Sequence, residues 1–163
     1  MMNHICNKSV LIIEDDRRMA SALEKVLVGE GAVVSRADWG GDAIGIMKER
    51  DRRIDLLITD LRMPFVSGLT VVFAVHRAYP ELPIIVLTAF GSPVVKAECI
   101  RQGATAFLEK PLDTPHLLEE IEKIFVSQKA GIAASPKANG SEDFPKTKSV
   151  SDEDGNGERN ECL

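Results

Sequence analysis

The sequence predicts a doubly wound α/β fold built on a five-stranded parallel sheet. Three observations carry that prediction. Short runs rich in Ile, Leu and Val alternate with amphipathic stretches. The runs are nearly continuously apolar, as strands covered by helices on both faces must be. Four of them end abruptly on polar groups. Val10-Leu11-Ile12-Ile13 stops at Glu14-Asp15-Asp16, and Ile54-Asp55-Leu56-Leu57-Ile58-Thr59 stops at Asp60. Ile84-Ile85-Val86-Leu87 ends in Thr88, and Ala106-Phe107-Leu108-Glu109 ends in Lys110-Pro111.

The elements follow in order. Val10–Glu14 is the first strand. Arg17–Val28 carries Met19, Leu23, Val26 and Leu27 at helical spacing and stops at Gly29, with Asp16 placed to cap it. Ala32–Ala37 is a short strand. Asp42–Arg50 is a weaker helix, because Gly40, Gly41 and Gly45 lower its propensity. Trp39 lies in the loop before it and reads as a surface anchor. Leu56–Asp60 is the third strand, and Leu69–Tyr79 is a helix stopped by Pro80. Ile84–Thr88 is the fourth strand. Pro93–Gln102 is a helix with Pro early in its first turn and Gly103 past its end. Ala106–Glu109 is the fifth strand. Thr114 is placed to cap the last helix, with Pro115 at its first position and an end near Ser127. Right-handed crossovers bring all the strand-end residues to one edge of the sheet. The strand order expected is the flavodoxin-like 2-1-3-4-5.

Bulk properties narrow the function. A length of 163 residues favours one domain, and a hydrophobic fraction of 44% supports a real core. Residues 8–127 form the expected domain. Residues 128–163 are rich in Gly, Ser, Asn, Pro and mixed charge, and read as a disordered polar tail. A net charge of -5 argues against a general nucleic-acid binder. No apolar stretch reaches the roughly 18 residues that a membrane helix requires. The first eight residues show no signal peptide pattern. Cys6, Cys99 and Cys162 are widely separated and suggest neither a disulfide framework nor a zinc site. The expectation is a cytoplasmic protein that contacts neither membrane nor nucleic acid directly.

In an open parallel sheet, ligands bind at the carboxyl ends of the strands. Here those ends deliver carboxylates, a hydroxyl and an ammonium, a set suited to a divalent cation and a phosphoryl group. Each residue also has a plainer account. Glu14 and Asp15 repel one another unless a cation sits between them, and hard oxygen ligands suit magnesium. They also fit a solvated acidic turn beside a helix N-terminus. Asp60 can be a nucleophile toward phosphorus, giving an acyl phosphate. It can equally begin an Asx-type turn before Pro64. Thr88 fits an ordinary strand position, and Lys110 a surface cation with a packed stem. Chance rarely supplies all of them at the ends of strands one, three, four and five.

Taken together, the residues resemble the receiver domain of two-component response regulators over about residues 8 to 127. The matching stretches are Val10 to Asp16, Asp55 to Pro64, Gly68, Ile85 to Ala89, Gly103-Ala104 and Phe107 to Pro111. The resemblance implies an aspartyl phosphate at Asp60, with magnesium held by Asp15, Asp60 and the carbonyl of Arg62. Glu14 would act through a metal-bound water. Thr88 would donate its hydroxyl to the phosphoryl group and Lys110 would pair with it. The Lys110-Pro111 bond is expected to be cis. The phosphoryl donor would be a histidine kinase or a histidine phosphotransfer domain, because the chain holds no kinase core. Thr88 and Phe107 would form the switch, read by an output protein on the face of helix four, strand five and helix five. Phe107 also fits a static core position. The chain would be no enzyme beyond its own phosphorylation and slow dephosphorylation.

Some positions depart from the common pattern. Glu14 stands where Asp is frequent, and Arg62 and Phe90 are large residues beside the expected path of the hydrolytic water. Three other readings compete. A magnesium-dependent phosphohydrolase of the haloacid dehalogenase type needs a second Asp two residues after the nucleophile, where this chain has Arg62. A flavodoxin-like nucleotide binder needs a Gly-rich loop after strand one, where the chain has Glu14-Asp15-Asp16. A constitutive interaction module would not require the full site. Within the receiver reading, the chain is either a stand-alone regulator or a receiver fragment of a larger transcription regulator.

Overall fold

The computed structural model describes residues 4–49, 53–64 and 66–131. Five strands alternate with five helices. The strands are β1 (Ser9–Ile13), β2 (Val33–Ala37), β3 (Leu56–Asp60), β4 (Ile84–Thr88) and β5 (Ala106–Glu109). The helices are α1 (Arg17–Gly29), α2 (Gly40–Lys48), α3 (Gly68–Ala78), α4 (Pro93–Arg101) and α5 (Thr114–Ala130). Every strand pair is parallel and the order is β2-β1-β3-β4-β5, as the apolar runs predict.

Burial explains the composition of the strands. Every residue of β3 and β4 is buried, so their unbroken Ile, Leu and Val content is what two covered faces demand. One core layer joins Val10, Ile12, Leu56, Ile58, Ile85 and Leu87 to α1 and α5 through Leu23, Leu27, Leu117 and Ile121. The other joins Leu11, Ile13, Leu57, Ile84 and Val86 to Val71, Val72 and Val75 of α3, and to Phe107. The pairing register sets Asp60 beside Leu87 and Thr88 beside Glu109. The last residues of β3 and β4 therefore reach the same edge.

Element ends differ from expectation by up to three residues. α2 starts at Gly40 rather than Asp42, because Gly40 is buried against α3. A Cβ there would come within 2.8 Å of Val71 Cγ2. Trp39 precedes α2 as a half-exposed surface anchor, its ring laid over Gly41. α5 is preceded by Asp113 rather than capped by Thr114. The Asp113 carbonyl accepts from Leu117 N–H at 3.0 Å, while its side chain makes no cap bond. α5 continues to Ala130 and ends at Gly131, because Gln128, Lys129 and Ala130 are good helix formers. The tail proposed from residue 128 lies, from residue 132 onward, outside the described residues. No helix among the described residues is long and apolar enough to cross a membrane.

The segment before β1 carries a contact with no sequence signal. Ile5 is fully buried in the first core layer. His4 reaches both oxygens of Glu122 on α5, at 3.0 Å from its backbone N–H and 2.8 Å from its ring. Lys8 lies 5.1 Å from the centre of the Phe125 ring.

Two stability outcomes follow from this packing. Ile58→Ala empties a fully buried position of the central strand and is expected to cost about 2–5 kcal/mol. Asp16→Ala removes a side chain that accepts from Arg18 N–H at 2.8 Å and Met19 N–H at 3.2 Å, at a cost of about 1 kcal/mol. Urea unfolding midpoints at unchanged slope give both values, and their order should not reverse.

Candidate functional site

The carboxyl ends of β1, β3, β4 and β5 converge as the sequence predicts. Glu14 follows β1 and its backbone N–H bonds to Ala37 O at 3.2 Å, which fixes it at the strand end. Its side chain is buried, at 2% exposure, and turns into the site. Asp60 is the last residue of β3 and is also buried. Asp15 is exposed beside them. One carboxylate oxygen from each of Glu14, Asp15 and Asp60 lies within 4.8 Å of the other two, so the three could hold a cation. Asp16 points elsewhere, onto the first turn of α1, as its capping role requires.

Lys110 supplies the opposing charge. Its ammonium lies 2.7 Å from Glu14 Oε2 and 2.8 Å from Asp60 Oδ2. The peptide bond to Pro111 is cis, and Lys110 N–H donates to Thr88 O at 2.7 Å. Burial pushes the Glu14 carboxyl above its ordinary range, and Asp60 adds to that push. The bond and charge of Lys110 offset it only in part. For Lys110, burial disfavours the ammonium, but its two carboxylate partners outweigh burial and hold its pKa above the ordinary value.

Backbone groups complete the site. Arg62 N–H donates to Asp60 Oδ1 at 3.2 Å, so the two Asp60 oxygens have different partners. Thr88 is fully buried, and its hydroxyl accepts from Phe90 N–H at 3.1 Å. As an acceptor there, the hydroxyl keeps its own proton for another partner. Phe107, opposite Val86 in the register, is buried in the second core layer, as a static core residue would be.

One contact escaped the sequence. The guanidinium carbon of Arg62 lies 4.0 Å from the centre of the Phe90 ring. The two side chains were expected beside the site separately, and they stack on each other. Spacing within a chain cannot reveal a contact between two loops that only the sheet brings together.

Comparison with known proteins agrees with the fold. The family model of the response regulator receiver domain matches residues 10–122, more than half the chain. The chain belongs to that family. It is 32% identical over 130 residues to the transcriptional regulatory protein ZraR of Salmonella typhimurium, covering 80% of this chain and 29% of that protein. It is 35% identical over 106 residues to the regulatory protein LuxO of Vibrio vulnificus, covering 65% of this chain and 23% of that one. The chain thus spans less than a third of the length of these relatives. Among solved structures, it resembles the chemotaxis protein CheY4 of Vibrio cholerae at 30% identity and a TM-score of 0.69, covering 73% of this chain and 99% of that one. A receiver domain protein from Clostridium thermocellum matches at 25% identity and a TM-score of 0.71, covering 77% and 99%.

The charge balance of the site is testable without any chemistry. Lys110→Ala leaves buried Glu14 and Asp60 facing each other with no cation between them, which is costly in a desolvated site. The variant should melt below wild type in chelator and recover much of the difference in millimolar magnesium. Thermal unfolding of both proteins with and without the ion checks this, and an equal magnesium response in the two would contradict it.

Proposed function

We propose that the chain is a phosphoacceptor that takes a phosphoryl group on Asp60 in a magnesium-dependent reaction and signals through a change at the β4–β5 edge. The observation that carries this reading is Lys110 joined to both Glu14 and Asp60 at a buried strand edge. Such an edge sets an ammonium within hydrogen-bond reach of the acceptor carboxylate. Phosphoryl transfer to a carboxylate spreads charge over the equatorial oxygens, so catalysis is largely positioning and charge stabilisation. A carboxylate oxygen of Asp60 attacks phosphorus, and the phosphorus–nitrogen bond of a donor phosphohistidine breaks. The imidazole leaves with the bonding pair and takes up a proton. Lys110 pairs with the transferred group, and the Thr88 hydroxyl donates to it. Asp15, Asp60 and the Arg62 carbonyl would hold magnesium, and Glu14 would act through a water beside it. Magnesium, when bound, supplies the charge that lets the acidic cluster accept a phosphoryl group.

The donor is a histidine kinase or a histidine phosphotransfer domain, in keeping with the family. The output face is α4, β5 and α5, reached from Thr88 through Phe107 and Phe90. A second reading has a specific observation behind it. The Salmonella relative, a transcriptional regulatory protein, is more than three times longer than the matched region. The chain then corresponds to the receiver part of such a regulator, and the site works in the same way.

Asp60→Asn should abolish labelling by acetyl phosphate while the circular dichroism spectrum stays unchanged. Excess chelator should do the same to wild type. A hydroxylamine-labile phosphoprotein persisting in the variant would refute the assignment of Asp60.

The lifetime of the phosphoryl group gives a further test. Hydrolysis needs a water in line with the bond to Asp60. The Arg62–Phe90 stack closes one side of the approach with a ring that cannot orient water, and each member holds the other in place. Phosphate release after donor removal should therefore be slow. Phe90→Glu and Arg62→Asn should each speed it several-fold. Unchanged release in both variants would mean that the stack does not shield the site.

A further inference from the structure

Gly68 is the first residue of α3 and lies directly against the peptide that follows the acceptor. A Cβ at this position would overlap the Asp60 carbonyl oxygen and come within 2.7 Å of Leu61 Cα and 2.9 Å of the Asp60 carbonyl carbon. All three neighbours are backbone atoms. At Gly40 the nearest atom is instead a side-chain methyl of Val71, and at Gly45 nothing lies within 4 Å. The backbone at Gly68 is not in the left-handed region, where only Gly31 and Gly103 lie among the described glycines. Alanine would thus suit the local conformation, and helix propensity would favour it. Only the close approach to Asp60–Leu61 requires glycine.

Neither side of this contact can yield freely. α3 is anchored by buried Val71, Val72 and Val75. The strand end is anchored by Leu61 N–H on Leu87 O at 3.0 Å, and Gly68 N–H closes the loop onto Leu61 O at 3.0 Å. An added methyl must therefore be absorbed by a tilt of the Asp60 carbonyl within these anchors and by the start of the loop after Leu61. That stretch carries the Arg62 N–H bonded to Asp60 Oδ1 at 3.2 Å, and the Arg62 carbonyl.

We infer that Gly68 is a positioning residue for the cation site, an inference that rests on the phosphoacceptor reading above. By letting α3 seat against the Asp60–Leu61 peptide, it sets the direction of the Asp60 carboxylate and of the Arg62 carbonyl. An added methyl turns both away from a shared cation without removing any ligand. The effect belongs in cation affinity more than in the transfer step at saturating cation.

The test is calorimetric titration of magnesium into the unphosphorylated protein, which needs no phosphoryl transfer. Gly68→Ala should bind magnesium at least tenfold more weakly than wild type with an unchanged circular dichroism spectrum. Gly45→Ala should match wild type. In acetyl phosphate labelling, Gly68→Ala should need at least tenfold more magnesium for its half-maximal rate and lose far less at saturation. Should Gly68→Ala fail to fold, Ser67→Ala takes its place. It removes the hydroxyl that accepts from Leu69 N–H at 3.3 Å and lets the first turn of α3 lift from Asp60 without an added atom. It should weaken magnesium binding about threefold. Wild-type affinity in the folded Gly68→Ala protein, or in Ser67→Ala where that protein does not fold, overturns the inference. Wild type that binds magnesium but takes no label overturns the phosphoacceptor reading instead.

Discussion

Two buried carboxylates, Glu14 and Asp60, share the ammonium of Lys110, and the rest of the site is arranged around that triangle. Acidic groups brought together away from water repel one another and lose hydration, so they persist only beside a cation. The sheet makes the meeting unavoidable, because parallel strands deliver their carboxyl ends to one edge. Lys110 comes from the far strand β5, and Glu14 and Asp60 come from the neighbouring strands β1 and β3. A cation entering the Glu14, Asp15 and Asp60 cluster, or a phosphoryl group added to Asp60, would have to rearrange the bonds of Lys110. The site is therefore sensitive to both.

The same edge connects to the surface by short paths. The Thr88 hydroxyl accepts from Phe90 N–H, and the Phe90 ring stacks on Arg62. Arg62 in turn donates to Asp60. A closed circuit thus runs from the acceptor through β4 and back across the mouth of the site. In the proposed reaction, any movement of the Thr88 hydroxyl toward a new acceptor loosens the hold on Phe90, which is 61% exposed. In that reaction the exposed loop at Phe90, before α4, would report on the state of Asp60.

Much of this was legible in the sequence for physical reasons. Strands covered on both faces must be apolar throughout, so β1, β3 and β4 stand out, and the polar residue ending each run marks the ligand edge. Asp60, Glu14, Asp15, Thr88 and Lys110 were found in this way, and the structure brings them to one place. The position of Asp16 as a cap was also readable, since a short acidic side chain before an amphipathic stretch has a clear role. What the sequence hid depends on contacts between distant segments. Nothing in Met1 to Lys8 announces that Ile5 enters the core or that His4 reaches Glu122. The Arg62–Phe90 stack and the seating of Gly68 on the Asp60 peptide depend on loop geometry that periodicity does not encode. The weak α2 was misplaced by two residues because its opening glycines serve packing against α3 rather than helix propensity.

The central claim is that Asp60 receives the phosphoryl group. Its most direct test is borohydride trapping after incubation of wild-type protein with acetyl phosphate and magnesium, followed by peptide mass mapping. Reduction of an aspartyl phosphate converts that residue to homoserine. Homoserine is expected at position 60 and at no other aspartate, dependent on magnesium. Trapping at Asp15 or Asp16, or an unmodified Asp60 in protein that carries the label, would contradict it.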